Sequence, residues 1–252
     1  MDSQAILMRR RVRAKKILSH SVAHLVLIVL SLLFLIPIFY MVVTSFMGEV
    51  ESGQGNFFPT EWHFENYVTA LDEKFLIFFK NSVIVVGCNV IFIPLAATFT
   101  AFAFVRCKFV GQNVLFAIIL GGGAGNIFLA RQYMRTISSS LDEAATIDGA
   151  NRFDVFFRIY FPLCKPIIIY MMITTFTGVW NDITTPLLYL NNESQYTLAL
   201  GIYNLFKGAP VPGKFPNVRM ATGMYMLVPC AIVFFIFQRQ LIDGVQMGAV
   251  KG

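Results

Sequence analysis

Long apolar runs constrain this chain more than any other feature of its sequence. The first run extends from about Val22 to Phe46. A helix of that length reaches roughly 37 Å, which exceeds the roughly 30 Å hydrocarbon core of a bilayer. Only 13% of the residues are charged, about half the fraction found in a soluble domain. The sequence therefore predicts an all-α membrane protein, built as a bundle of transmembrane helices.

Three further apolar runs predict spans at about Phe75–Phe104, Pro166–Leu190 and Ala221–Phe237, which makes four clear spans. The first span is interpreted as an uncleaved anchor. Its apolar stretch exceeds the about 7–15-residue core of a secretory signal, and no small-x-small cleavage site follows it. We expect a single transmembrane domain over residues 1–252.

Lys and Arg residues collect in some of the connecting segments and avoid others. Six of them precede the first span, whereas the connection Met47–Lys74 holds six acidic residues and one Lys. Loops rich in Lys and Arg stay on the cytoplasmic side of a membrane. We therefore expect residues 1–20 and 138–162 in the cytoplasm and residues 191–219 outside it. The basic cluster carries no nucleic-acid-binding motif.

The stretch Val114–Ala130 is apolar but too short for two crossings. As one helix it would reach roughly 25 Å, enough for one short crossing. A single crossing would place Arg131 and Arg135 outside, against the distribution of charge. The glycine-rich run Gly121–Gly125 also breaks a helix at its middle. Two interpretations stay open, a re-entrant hairpin or the remains of a shortened pair of spans.

The segment after this region has the pattern of two short amphipathic helices. Ser140 and Glu143 match the S-x-x-E capping box, in which both side chains satisfy free N–H groups at a helix start. Gly149 suits a left-handed exit from that helix. The second helix places four aromatic residues at i, i+3, i+4 and i+7 and ends at two prolines, which are Phe153, Phe156, Phe157, Tyr160, Pro162 and Pro166. Periodicity alone leaves open whether these faces cover the ends of the spans or meet a partner.

The same segment resembles the EAA motif of ABC-importer permeases, in which Glu-Ala-Ala is followed by Gly and by an Ile-x-x-Pro ending. The matching residues are Glu143, Ala144, Ala145, Asp148, Gly149, Ile159 and Pro162. Four other segments resemble carbohydrate-uptake permeases of the maltose-transporter type, which are Arg131-Gln132, Trp180-Asn181-Asp182, Tyr196–Gly201 and Gly248–Gly252. Because such permeases have six spans, the resemblance implies a shortened third and fourth span at residues 114–130.

The resemblance implies the membrane permease subunit of a bacterial inner-membrane importer that takes up a sugar or oligosaccharide. Its partners would be a second permease subunit, two ATPase subunits and an extracytoplasmic sugar-binding protein. The ATPase subunits would bind ATP and magnesium, and this chain, which lacks a P-loop, would hold no cofactor or metal and would be no enzyme. The residues expected to couple it to the ATPases are Glu143, Ala144, Ala145, Asp148, Gly149, Phe153, Phe156, Phe157, Ile159 and Pro162.

Polar residues late in the third clear span are candidates for the substrate path. They are Thr177, Trp180, Asn181 and Asp182. Polar groups inside a membrane are costly and mark functional sites, and hydrogen-bonding groups beside an aromatic face suit a sugar. The alternative is local, with threonine bonding its own helix and Asn and Asp capping the end of the span. Two rival functions also stay open, an ion-coupled secondary transporter and a non-transporting remnant or assembly subunit.

The external segment Tyr196–Phe215 resembles the loop that, in these importers, reaches into the open sugar-binding protein. Its apolar residues between Leu200 and Phe206 favour a short helix. The alternative interpretation is a helix that lies on the membrane surface.

Overall fold

Helices make up most of the part of the chain that the structure describes. The computed structural model describes residues 3–107, 109–121, 124–207 and 216–249, and these contain helices and turns but no strand, which confirms the predicted all-α class. The helices in chain order are α1 (Ser3–Ser45), α2 (Glu65–Ala70), α3 (Glu73–Arg106), α4 (Gln112–Gly121), α5 (Gly125–Met134), α6 (Ser140–Ile147), α7 (Arg152–Val155), α8 (Phe161–Leu163), α9 (Lys165–Trp180), α10 (Thr184–Tyr189), α11 (Leu198–Phe206) and α12 (Pro216–Ala249). A π turn, Phe156–Tyr160, joins α7 to α8.

Three helical stretches among the described residues are long and apolar enough to cross a membrane. They are His20–Ser45 of α1, the whole of α3, and Pro216–Leu241 of α12, and they confirm the first, second and last predicted spans. A fourth span is counted if Arg152–Leu163 and Lys165–Trp180, which are bent by 72° at their junction, cross together.

The predicted span Pro166–Leu190 is wrong as a single helix. Helix α9 ends at Trp180, and α10 is a separate short helix. Pro186 lies in the first turn of α10, where its missing N–H has no helical partner to lose, so the break is compatible with this residue. The Asp182 carboxylate accepts a hydrogen bond from Thr185 N at 3.1 Å, which gives the new helix start a partner.

The glycine-rich region is divided as the sequence predicted. Helix α4 ends at Gly121 and α5 begins at Gly125, while Gly122 and Gly123 lie outside the described residues. Each helix has 10 residues and reaches about 15 Å, half the thickness of a bilayer core. Neither helix is therefore long enough to span a membrane alone.

The chain divides into two compact units. One combines Met1–Ala70 with Pro210–Met224, and the other combines Leu71–Ala209 with Tyr225–Gly252. The single domain predicted over residues 1–252 stays a prediction.

In the first unit, a buried amide network closes the C-terminal end of α1. Asn66 Nδ2 donates to the carbonyl oxygens of Ser45 and Met47 at 3.0 and 2.9 Å. Asn217 Nδ2 donates to Met47 O and to Asn66 Oδ1, both at 3.1 Å. The last carbonyls of a helix have no partner within it, so these amides stabilise the end of the first span.

In the second unit, two clusters of buried side chains form along α3. The EAA-end cluster lies near its C-terminal end, and its members include Ala101, Phe102, Met134, Phe156, Tyr160 and Met171. The loop-end cluster lies near its start, and its buried members are Phe75, Phe78, Val86, Trp180 and Leu198. One helix of 34 residues, about 51 Å long, thus takes part in both clusters.

Candidate coupling site

The bend between α6 and α7 is a Schellman motif built on Gly149. Its φ angle is +79°, the left-handed conformation that the sequence predicted. Ala150 N donates to Ala145 O at 2.9 Å, and Gly149 N donates to Thr146 O at 3.1 Å. These two bonds satisfy carbonyls that the end of α6 would otherwise leave free. A side chain at position 149 would be strained, because residues with a Cβ rarely adopt this φ.

The capping box lies on the second helix rather than the first. Asn151 Oδ1 accepts hydrogen bonds from Phe153 N and Asp154 N at 2.9 Å, and Asp154 Oδ2 accepts from Asn151 N at 3.3 Å. The predicted box at Ser140 and Glu143 is wrong. Ser140 already belongs to α6, and its N–H donates to Ser138 Oγ at 3.2 Å. A cap residue must lie just before the helix, so the early start of α6 removes Ser140 from that position.

The second short helix continues past Pro162, where the sequence predicted its end. The π turn closes with a bond from Phe161 N to Phe156 O, and α8 then runs to Leu163. Pro162 lies in the first turn of α8, where proline is tolerated because its missing N–H has no helical partner to lose. The bend into α9 follows at Cys164.

The structure separates the predicted coupling residues into a packed set and an exposed set. Ala145 and Phe156 are buried, and Ile159 is half-buried. The exposed members are Glu143, Ala144, Asp148, Gly149, Phe153, Phe157 and Pro162. The aromatic face is divided in the same way, because Phe156 is 3% exposed while Phe153 is 63% exposed. The residues predicted to share one face therefore form two adjacent stripes.

An ionic and hydrogen-bonded group ties α6 to the end of α3. Arg106 Nε lies 3.2 Å from Asp142 Oδ2, and both side chains are largely buried. Tyr160 OH donates to Asp142 Oδ1 at 2.6 Å, and the Arg106 guanidinium lies 4.9 Å from the centre of the Tyr160 ring. Arg106 Nη2 also donates to Ile137 O at 2.7 Å. Sequence analysis missed this group, because its members are distant in the chain and no local pattern links them.

Aromatic rings complete the attachment of the EAA segment, residues 138–163, to α3. The Phe156 ring lies 5.2 Å from the ring centres of both Phe99 and Phe102, in edge-to-face geometry. Phe153 stacks on Phe99 at 6.2 Å, and Phe102 lies 5.2 Å from Tyr160. Aromatic pairs in such geometry contribute beyond their buried area, so the segment and α3 form one packed body.

We call four of the exposed apolar side chains of the EAA segment together the coupling patch. They are Leu141, Ile147, Phe153 and Phe157. Ile147 is 85% exposed and was not among the predicted residues. Its apolar side chain on the same short helix as Glu143 is the sequence signal that could have revealed it. Exposed apolar groups rimmed by charged residues mark protein interaction surfaces.

The candidate substrate-path residues make contacts within their own helix and with α12. Thr177 Oγ1 donates to carbonyls of its own helix at 3.1 Å, and Asn181 Nδ2 donates to Thr177 O at 2.8 Å. Trp180 is buried, and its Nε1 donates to Met226 O at 3.1 Å. The bonds of Thr177 and Asn181 correspond to the local alternative, whereas the bond of Trp180 reaches a different helix, α12. Thr177 and Asn181 are also exposed, so their contact with a substrate stays a prediction, as does that of Trp180 and Asp182.

The short helix predicted in the external segment is confirmed as α11. Its first four residues, Leu198–Gly201, are buried, and Leu198 belongs to the loop-end cluster. The start of α11 is therefore packed within the second unit, and the position of the helix relative to the membrane stays a prediction. Residues 208–215 of the same segment lie outside the described residues.

An all-helical membrane protein with an EAA-type bent helix pair fits the membrane component of a binding-protein-dependent importer. The chain matches the family described as "Binding-protein-dependent transport system inner membrane component" over residues 18–246 and belongs to that family. This assignment confirms the resemblance to ABC-importer permeases and favours it over an ion-coupled secondary transporter.

Curated relatives and a solved structure agree with the family. A putative ABC transporter permease protein, ORF2, of Caldicellulosiruptor sp. (strain Rt8B.4) is 30% identical over 257 residues, which cover 86% of this chain and 92% of the relative. The probable starch degradation products transport system permease protein AmyC of Thermoanaerobacterium thermosulfurigenes is 29% identical over 265 residues, covering 89% and 94%. A bacterial ABC transporter involved in the import of the acidic polysaccharide alginate has a chain with a TM-score of 0.79 at 22% identity, covering 89% of this chain and 97% of that one. This last likeness shows the fold.

The alignments also show that this chain is shorter internally than its relatives. The first alignment has 257 positions but includes 86% of the 252 residues of this chain, which is about 217 residues. About 40 positions of the alignment therefore have no residue in this chain. The second is 265 residues long and takes up 89%, about 224 residues, which again leaves about 40. The sequence predicted such a shortening at Val114–Ala130, and the two 10-residue helices α4 and α5 lie there.

Proposed function

We propose that this chain is a permease subunit that translocates a sugar or oligosaccharide, delivered by an extracytoplasmic binding protein, with energy from ATP. The family assignment supports the permease role. The carbohydrate is supported by the relative named for starch degradation products and by the fold shared with the alginate importer. Sequence segments around Trp180–Asp182 and Tyr196–Gly201 resemble carbohydrate permeases and support the same substrate class.

The proposed assembly contains a second permease subunit, two ATPase subunits that bind ATP and magnesium, and the binding protein. This chain hydrolyses no ATP in the proposal and holds no cofactor. The distribution of Lys and Arg supports a cytoplasmic N-terminus in a bacterial inner membrane, with residues 138–162 in the cytoplasm and residues 191–219 outside. The whole chain would act as one permease domain.

The observation that carries the proposal is the EAA segment, which packs its buried side chains on α3 and leaves several apolar side chains exposed. The coupling patch provides an apolar surface on which an ATPase subunit can dock. Phe156, Tyr160 and the Arg106–Asp142 pair bind the same segment to α3. A displacement of the segment therefore displaces α3, because packed interfaces move between discrete arrangements. The energy must come from contacts that differ between the two states of the ATPases.

A substitution at the bend tests the proposal. Gly149→Val strains the Schellman motif, because a branched side chain at a φ of +79° costs about 1–3 kcal/mol. We expect ATP-driven uptake of labelled oligosaccharides to fall by roughly tenfold or more in proteoliposomes that contain the chain with its partner subunits, while ATP hydrolysis continues. The oligosaccharides tested would include malto- and alginate-derived series.

The matched control is Gly87→Val in α3, where an added Cβ meets nothing within 4 Å and φ is not positive. The control should transport at the wild-type rate. Wild-type uptake by Gly149→Val would refute the coupling role of the bend. Wild-type vesicles that take up no oligosaccharide with ATP would refute the proposed function and favour the remnant or assembly subunit.

A further inference from the structure

The segment before α11 is held to the first turns of α3 by hydrogen bonds from α3 side chains to the backbone of the segment. Asn81 Nδ2 donates to the carbonyl oxygens of Ser194 and Tyr196 at 2.9 and 3.0 Å. Ser82 Oγ accepts a hydrogen bond from Leu198 N at 2.7 Å. Because the partners are backbone atoms, these bonds fix the path of the segment whatever side chains it carries.

Ser82 caps α11 although it belongs to a different helix. The first N–H groups of a helix have no partner within it, and Thr197, the residue before α11, makes no capping bond with its side chain. Ser82 is buried and supplies the missing acceptor. Buried backbone groups are nearly always paired, so the start of α11 depends on this side chain of α3.

The two helices also touch at a glycine. A Cβ added at Gly201 would lie 2.1 Å from Phe78 Cδ2, well inside the 3.0 Å that real Cβ atoms essentially never cross. Phe78 is itself buried in the loop-end cluster, so its ring has no free space to move into. The contact holds α11 against α3 at this point and admits only glycine.

Phe78, Asn81 and Ser82 lie on one stripe of α3, at i, i+3 and i+4. We call their contacts with residues 194–201 the clamp. The opposite end of the same helix carries the contacts with the EAA segment. Helix α3 is continuous over its 34 residues, although Pro94 lies within it. A displacement applied at Arg106 therefore has an unbroken, packed path to α11.

We propose that Phe78, Asn81 and Ser82 are positioning residues that make α11 move together with α3 during transport. The inference rests on the proposed function, since ATPase subunits acting on the EAA segment are the source of the displacement. Packed elements move as discrete bodies, and the clamp makes the start of α11 part of the body that contains α3. Without the clamp, the EAA segment and α3 still respond to ATP, but α11 no longer follows.

The functional test uses the full chain assembled with its partner subunits in proteoliposomes. Asn81→Ala and Ser82→Ala each remove clamp bonds. The matched control is Asn89→Ala, because Asn89 Nδ2 donates to Val85 O of its own helix at 2.8 Å. We expect uptake per ATP hydrolysed to fall by roughly fivefold in each clamp variant, the factor that one lost hydrogen bond represents. The rate of ATP hydrolysis and the Asn89→Ala ratio should match the wild type.

Hydrogen exchange on the same preparations distinguishes this inference from the proposed function. In the wild type, a non-hydrolysable ATP analogue should change the exchange of residues 193–206 as well as residues 140–163. In the clamp variants, the response at 193–206 should disappear and the response at 140–163 should remain. Unchanged uptake per ATP, or a retained response at 193–206, would overturn the inference. Absent uptake in the wild type would contradict the proposed function. The change in hydrogen exchange that the ATP analogue causes at residues 193–206 would still test whether the clamp makes α11 follow α3.

A paired substitution separates the clamp from simple misfolding. Gly201→Ala alone should clash with Phe78 and reduce the amount of assembled transporter. Adding Phe78→Ala makes room for the new methyl group but leaves a cavity, so the double variant should assemble as well as Phe78→Ala alone, yet keep a low ratio of uptake to ATP. A wild-type ratio in the double variant would show that the Phe78 contact plays no part in transport.

Discussion

The two ends of α3 are held by different kinds of contact. At the EAA end, the rings of Phe99 and Phe102 pack on Phe156, and Arg106 pairs with Asp142, so contacts between side chains predominate beside the bond from Arg106 to a backbone carbonyl. At the loop end, the clamp residues bond backbone atoms and press against a glycine. The EAA end therefore depends on which residues face each other, whereas the loop end depends on the path of the backbone.

This difference determines what each region tolerates. The carbonyls that Asn81 binds, those of Ser194 and Tyr196, are present whatever residue occupies those positions. The hydrogen bonds of Asn81 to this segment therefore persist when the side chains before α11 change. The EAA segment has no such freedom, because a substitution at Phe156 removes the contact itself.

The largest expected effect on stability is at Phe156, where a substitution removes the side-chain packing of the EAA end. Phe156→Ala removes a buried ring from the EAA-end cluster, and such cavities cost about 3–5 kcal/mol of the free energy of unfolding. We expect a clearly lower Tm in mild detergent and earlier proteolysis of residues 150–163. Phe153→Ala is the matched control, because its ring is mostly exposed and should cost less than about 1.5 kcal/mol. Equal losses in the two variants would contradict the division into packed and exposed stripes.

An intermediate effect is expected for the ion pair at the same end. Asp142→Ala leaves Arg106 largely buried without its charge partner, which costs about 3 kcal/mol. The double variant Arg106→Ala/Asp142→Ala should cost less than the sum of the single variants, with a coupling of about 1–3 kcal/mol. Thermal unfolding of the four proteins measures this cycle. Additive losses in the free energy of unfolding would mean that the interaction between Arg106 and Asp142 contributes nothing. The aromatic contacts would then be what stabilises the EAA end.

The sequence predicted the features that local patterns carry and missed those that tertiary contacts create. The long spans follow from apolar length, and the left-handed Gly149 follows from its place after a short helix. The sequence predicted the capping box at Ser140 because the residues there match S-x-x-E. That pattern does not fix the first residue of a helix, and the choice between Ser140 and Asn151 depends on where each helix begins. The contact of Arg106 with Asp142 and that of Asn81 with Tyr196 join residues far apart in the chain, so no periodicity could reveal them.

The smallest effect is expected where the loop end also carries a surface ion pair. Lys74 Nζ lies 2.9 Å from Glu193 Oε1, with the two side chains 54% and 52% exposed, and exposed ion pairs contribute little to stability. Lys74→Ala should therefore lower Tm only slightly, and less at high salt, whereas Asn81→Ala should lower it clearly at any salt concentration. A loss of Tm at Lys74 as large as that at Asn81, and reduced by salt, would show that charge holds the loop end, and that backbone bonding is not what distinguishes it from the EAA end.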